Sequence, residues 1–166
     1  MNKKVLLILV VLALISILAI FPLHLSNQNF DGLFTMDVPL AKHYSDTAYC
    51  WPNGGLGCLK EYWEDNAGCD IEDGDIVVYY YNNSLLSDGE SDAFEHAMNA
   101  LTTSYLYKAY RDGDLIILTN DLDMRKMPPY LAGKSNENGD EVVFVGGRNL
   151  NDVKHYASTI EFLNRW

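Results

Sequence analysis

The sequence predicts an α+β fold: an N-terminal transmembrane helix followed by one antiparallel sheet with two packed helices. Three observations carry that expectation. Val5–Phe21 is apolar at every position except Ser16, and at about 1.5 Å per helical residue such a run approaches the roughly 30 Å of a bilayer core. The rest of the chain holds short runs of β-branched and aromatic residues separated by Asp-Gly, Asn-Gly and Pro-Pro pairs, which read as strands and turns. Two later segments place apolar residues at helical spacing. They do not alternate regularly with the strands, as a doubly wound parallel sheet would require.

The anchor comes first in the chain. Lys3 and Lys4 precede the apolar run, and Pro22-Leu23-His24-Leu25 follows it. The run exceeds the ordinary signal-peptide core and lacks a small-x-small cleavage pattern, so residues 1–25 read as an uncleaved anchor, with a cleaved signal segment as the alternative. Either way the lysines stay cytoplasmic and the remainder is exported. The expected location is therefore the cell membrane, single-pass, with the C-terminal domain outside the cytoplasm. Residues 26–32 read as a stalk and 33–166 as a single domain.

Charge narrows the partners. The chain has 166 residues, 12 basic and 23 acidic, for a net charge of -11. Phosphate backbones need clustered Lys and Arg, so no nucleic-acid partner is expected. A hydrophobic content of 48% with 12% aromatics excludes a disordered chain. The expected partners are the membrane, through the N-terminal helix, and another envelope protein.

In the domain, Gly32–Pro39 alternates as a strand ended by proline, with Phe34, Met36 and Val38 facing inward. Tyr44–Trp51 reads as a second strand. Pro52–Gly74 reads as a long glycine- and acid-rich loop, with a helical turn at Leu59–Glu64. Asp75–Tyr81 carries β-branched and aromatic residues on both faces and should be central. Ser91–Thr103 reads as a helix capped by Ser91, with Phe94, Ala97, Met98 and Leu101 as its apolar stripe. Ser104–Arg111 and Leu115–Thr119 flank Asp112-Gly113 as a hairpin. Pro128-Pro129 limits Met127–Gly133 to an edge piece. Glu141–Val145 is a further strand, and Leu150, Val153, Ala157 and Ile160 mark a closing helix capped at Asn149 or Asn151.

Two ends of this domain carry a family likeness. The opening Phe30-Asp31-Gly32-Leu33-Phe34-Thr35-Met36-Asp37-Val38-Pro39, and the close through Ala157-Ser158-Thr159-Ile160-Glu161-Phe162, resemble those of PsbP/Mog1-like domains. Small exported archaeal proteins with a tether ahead of such a domain look similar. The resemblance implies a sandwich of helices around an antiparallel sheet, a binding or accessory role, and no catalytic residues. The cysteine-bearing insert at Pro52–Gly74 has no counterpart in that pattern.

Few residues point to chemistry. There is no G-x-S-x-G, S-x-x-K or H-E-x-x-H motif. Gly54-Gly55-Leu56-Gly57 lacks the Lys-Ser/Thr of a phosphate loop. Asp70, Glu72, Asp73 and Asp75 crowd carboxylates that would gain by neutralisation, so weak calcium binding is the metal reading; no other cofactor is expected. Asp121-x-Asp123 is a smaller candidate. Cys50, Cys58 and Cys69 leave one disulfide plus one free thiol as the arithmetic of an exported chain, with the pairing open. A pair of His43 with a cysteine is the one imaginable thiol site. Asn82-Asn83-Ser84 matches a glycan acceptor at Asn82, or an ordinary turn. Tyr79 and Tyr81 share one strand face, as do Tyr105 and Tyr107, and exposed they would form an interaction patch; a covering helix would bury them.

Together these features predict an extracytoplasmic, membrane-tethered binding or accessory module. A small exported hydrolase and a low-affinity divalent-cation-binding surface protein are the alternatives.

Overall fold

The computed structural model describes residues 25–46, 55–65, 68–87, 89–122 and 126–163. Ten strands form in chain order: β1 (Leu25–Phe30), β2 (Phe34–Pro39), β3 (Tyr44–Asp46), β4 (Lys60–Glu64), β5 (Ile76–Asn82), β6 (Lys108–Asp112), β7 (Leu115–Thr119), β8 (Tyr130–Ser135), β9 (Glu141–Gly147) and β10 (Glu161–Phe162). Among the described residues two α-helices accompany them, α1 (Ala93–Asn99) and α2 (Leu150–Ser158), and α1 runs on into a π-helical turn at Ala100–Ser104.

The expected fold class needs correction at three points. The domain is dominated by strands, and these form two sheets. One has seven strands in the order β3-β4-β5-β9-β8-β7-β6; the other has three, β1-β2-β10. Every pairing is antiparallel. Third, among the described residues no helix is long and apolar enough to cross a membrane. The run Val5–Phe21 lies outside them, so no described helix supports the expected single-pass placement. Leu25, expected as the end of the anchor, opens β1. Residues 26–30 of the expected stalk pair with β2 instead of spacing the domain from a surface.

Patterning explains the layers. On β5, Ile76, Val78 and Tyr80 point to one face and Val77, Tyr79 and Tyr81 to the other, and all six are buried. A strand apolar on both sides needs cover on both sides. The first face packs on Phe34, Met36 and Val38 of β2 and on Val153, Ala157 and Ile160 of the α2 segment. The second packs under Ala93 and Ala97 of α1, with Leu101, Trp63 and Tyr107.

Helix α1 is capped by Asp92, whose carboxylate accepts from the Glu95 N–H at 2.8 Å, one residue later than expected. Asn149 caps α2 by accepting from Asn151 and Asp152 N–H. Both caps satisfy first-turn donors that would otherwise lack a partner.

Two segments depart from their expected structure. Leu59–Glu64, expected as a helical turn in a loop, contains β4, which pairs with both β3 and β5. Its Tyr62 and Trp63 are buried on opposite faces, the requirement of an interior strand. Met127–Gly133, expected as an edge piece, leads into β8, which lies between β7 and β9. Pro128 and Pro129 precede β8 and so remove no ladder donor from it. Gly133 is required there. A Cβ at this position would sit 2.3 Å from the Val143 carbonyl oxygen and 2.5 Å from the Phe144 ring.

The hairpin β1–β2 ties the small sheet to the large one. Asp31 and Gly32 take φ of +53° and +71° in its turn. Phe30 and Phe34 stack at 4.7 Å between ring centroids, and Phe30 meets Tyr62 edge-on at 5.1 Å. Asp31 accepts from Lys60 Nζ at 2.7 Å and Tyr62 Oη at 3.1 Å. The Lys60 hydrogen bond lowers the Asp31 carboxyl's pKa; burial opposes it, and Tyr62 with the Lys60 charge reinforces it.

Two outcomes are expected. Gly133→Ala destabilises by about 1–3 kcal/mol, because a backbone oxygen must move; Gly68→Ala, with nothing within 4 Å of its Cβ, stays within about 0.5 kcal/mol. Urea unfolding compares them. A carboxyl with a depressed folded pKa stabilises the fold above its unfolded value, here 3.8, and loses that contribution as pH falls through the lower folded value. The urea midpoint of Asp31→Asn should therefore lie below wild type at pH 6 and converge on it below about pH 4.

Candidate functional site

Among the described residues a hollow lies where the loop before β5 passes the end of β4. It encloses about 700 Å³ and is lined by Lys42, Glu64, Asp65, Gly68, Cys69, Asp70, Glu72, Asp75 and Lys126. Strand β4 delivers Glu64 and Asp65, the chain before β3 delivers Lys42, and the 68–75 loop closes the side. Gly74, at φ +88°, reverses that loop. The Asp75 carboxylate accepts from the Glu72 N–H at 3.0 Å and fixes the turn.

Lys42 bridges the walls, with Nζ 2.6 Å from Glu64 and 3.6 Å from Asp75. Burial works to lower its pKa, but the hydrogen bond and charge of Glu64, then Asp75, outweigh this and the net shift is upward. Lys42 therefore stays cationic. Asp65 accepts from the hydroxyl of Ser45 and faces His43 Nδ1 at 3.1 Å. The Ser45 hydroxyl is thus spent on the carboxylate rather than on the imidazole, which is not the order of a nucleophile, base and orienter.

The four carboxylates expected to share a cation do not converge. Asp75 is committed to the turn and to Lys42. Asp73 lines two neighbouring hollows of about 440 Å³ each, beside Arg148. Among the described residues, no group of three or more His, Cys, Asp or Glu side chains is placed to hold a metal ion. Asp123 lies outside those residues.

The tyrosine patch is also corrected. Tyr79 and Tyr81 are fully buried and Tyr107 nearly so, while Tyr105 is half-buried. Helix α1 and the π-helical turn after it cover that face. Tyr81 donates to the Leu56 carbonyl at 2.9 Å and Tyr107 to that of Pro128 at 2.5 Å. The Tyr79 hydroxyl and Trp63 Nε1 have no hydrogen-bond partner among the described residues. Burial, then the charge of the buried Glu61, pushes the Tyr79 phenol up.

Asn82 serves a turn: its side-chain oxygen accepts from the Ser84 N–H at 2.9 Å and the Ser84 hydroxyl at 2.6 Å. Cys58 is a buried free thiol, and burial, then Glu61, raises its pKa. Such a thiol is inert. Cys69 is disulfide-bonded. No bridge joins two described cysteines, and Cys50 lies outside the described residues.

Sequence reading missed one further pair. His96 Nδ1 lies 2.7 Å from Glu90 Oε2, beside a hollow of about 400 Å³ shared with Asn99, Ala100, Thr103 and Ser104. The Ser87 N–H, then His96, lowers the Glu90 carboxyl's pKa. A spacing of six residues across a helix start has no helical or strand signature, which is why it was not visible.

No family model, curated protein or solved structure matches this chain.

Thiol titration checks the cysteine assignment. Without reductant, the native chain should show no reactive thiol and the denatured chain one. Reduction should then raise the count to three. Three thiols without reduction would refute it.

Proposed function

We propose that this domain is a binding or accessory module that meets another protein through the cleft between the end of β4 and the 68–75 loop. The observation that carries the reading is the charged lining of that cleft. Glu64, Asp65, Asp70, Glu72 and Asp75 surround it, with Lys42 and Lys126 on the same walls. Open, mixed-charge surfaces select partners by complementarity and speed encounter more than they add affinity. A disulfide-bonded residue, Cys69, sits in the same wall and limits the loop's freedom.

The test is crosslinking in native cells followed by purification through a C-terminal tag. Wild type should enrich one stoichiometric protein, and the double variant Asp70→Asn/Glu72→Gln should recover at least about fivefold less of it at low salt, with the difference narrowing as salt screens the contact. Recovery of the chain alone, or equal capture by the variant, would overturn the reading.

A further inference from the structure

We propose that the outer edge of β6 pairs with β6 of a second copy about a two-fold axis, joining two seven-stranded sheets into one. Strand β6 ends the large sheet and, among the described residues, has β7 as its single strand neighbour. All five of its residues are exposed. It carries no proline or glycine and stays in unbroken register with β7 from Lys108↔Thr119 to Asp112↔Leu115. Proteins commonly blunt such edges with prolines, bulges or covering loops. Lys108 and Arg111 are the deterrent present here.

The sequence Lys108-Ala109-Tyr110-Arg111-Asp112 is complementary to itself. In antiparallel pairing centred on Tyr110, Lys108 faces Asp112 of the other copy, and this occurs twice. Tyr110 faces its own counterpart, and Ala109 faces Arg111. No like charges stand opposite each other, as a closed two-fold interface requires.

The faces agree with this register. Tyr110 and Asp112 pair with Ile117 and Leu115, whose side chains lie in the core layer with α2. Lys108, two residues earlier, shares that face. The two charge pairs and the tyrosine pair therefore form one row across the junction. Tyr110, 46% exposed, is an aromatic of the large sheet left largely in solvent, and the pairing would cover it. Local charge also favours this contact. Two basic side chains and one acidic one make the edge cationic in a chain of net charge -11, so repulsion between copies is least here. Lys108 now holds Asp121 at 2.7 Å, both side chains at least 75% exposed, and Asp112 holds Lys154. Exposed pairs of this kind exchange at little cost.

A five-residue edge is a small interface, so the dimer is concentration-dependent. Sedimentation equilibrium of the full chain, in mild detergent because of its apolar first segment, reads the mass from about 5 to 500 μM. Wild type should pass from monomer to dimer. Lys108→Asp alone and Asp112→Lys alone should each weaken association about tenfold or more, since each sets like charges opposite. The double swap Lys108→Asp/Asp112→Lys should restore it. Thermal unfolding by circular dichroism confirms that each variant folds. A monomer throughout would overturn the proposal, leaving the edge to a strand from another protein. A dimer indifferent to the single reversals, or one not restored by the double swap, would overturn it too.

Discussion

The whole fold depends on β5 being apolar on both faces. Six consecutive residues, Ile76 to Tyr81, are at most 3% exposed, and no single covering layer can achieve that. One side must be closed by the small sheet and α2, the other by α1 and the loops around Leu56 and Tyr107. Each covering element then inherits its own pattern. The hairpin β1–β2 alternates, α2 carries a stripe, and α1 presents small Ala93 and Ala97 so that it can approach the large Tyr79 and Tyr81 closely. Burying one such aromatic is worth roughly 1.5–3 kcal/mol. Three tyrosines in a row make this strand the place where layer assembly gains most.

The cleft is a by-product of the same constraint. Strand β4 must reach β5 while burying Tyr62 and Trp63, so it ends at Glu64, still paired with Tyr44 of β3, and Asp65 is the first residue to leave the sheet. The chain then needs a return path to β5, and the acidic loop with its reversal at Gly74 supplies it. Carboxylates accumulate on that path because it is solvated. Asp75 among them is used to set the turn.

Much of the fold was legible in the sequence where burial has a periodic signature. The strands β2, β5 and β9, the β6–β7 hairpin at Gly113, and the α2 stripe belong to this group. Strand β4 was not legible, because Lys60, Glu61 and Glu64 look solvated. Yet Glu61 is buried at 4% exposure, a tertiary outcome that composition does not announce. Strand β8 was hidden by Pro128 and Pro129, which end a strand pattern only when they fall inside it. Alternation placed Tyr79 and Tyr81 on one face correctly but carried no information about what covers that face. The cleft was half-visible: its loop carboxylates stand together in sequence, whereas Lys42, Glu64 and Lys126 come from distant segments. The apolar run Val5–Phe21 falls outside the described residues, and the segment after it enters a sheet.

The small sheet has a consequence for how the molecule is made. Its hairpin is built from residues 25–39, but its third strand is β10, and Phe162 lies opposite Phe34. The Leu163 N–H also closes on the Leu33 carbonyl at 3.0 Å. During synthesis the hairpin leaves the ribosome first and waits for nearly the whole chain before its last neighbour emerges. Until then the edge of β2 that β10 will occupy has no strand neighbour in the small sheet. Ring closure over that many residues is slow, and an uncovered apolar strand is the kind of surface that chaperones hold and aggregates recruit. The small sheet is therefore complete only once β10 has joined β2, a contact between segments more than a hundred residues apart.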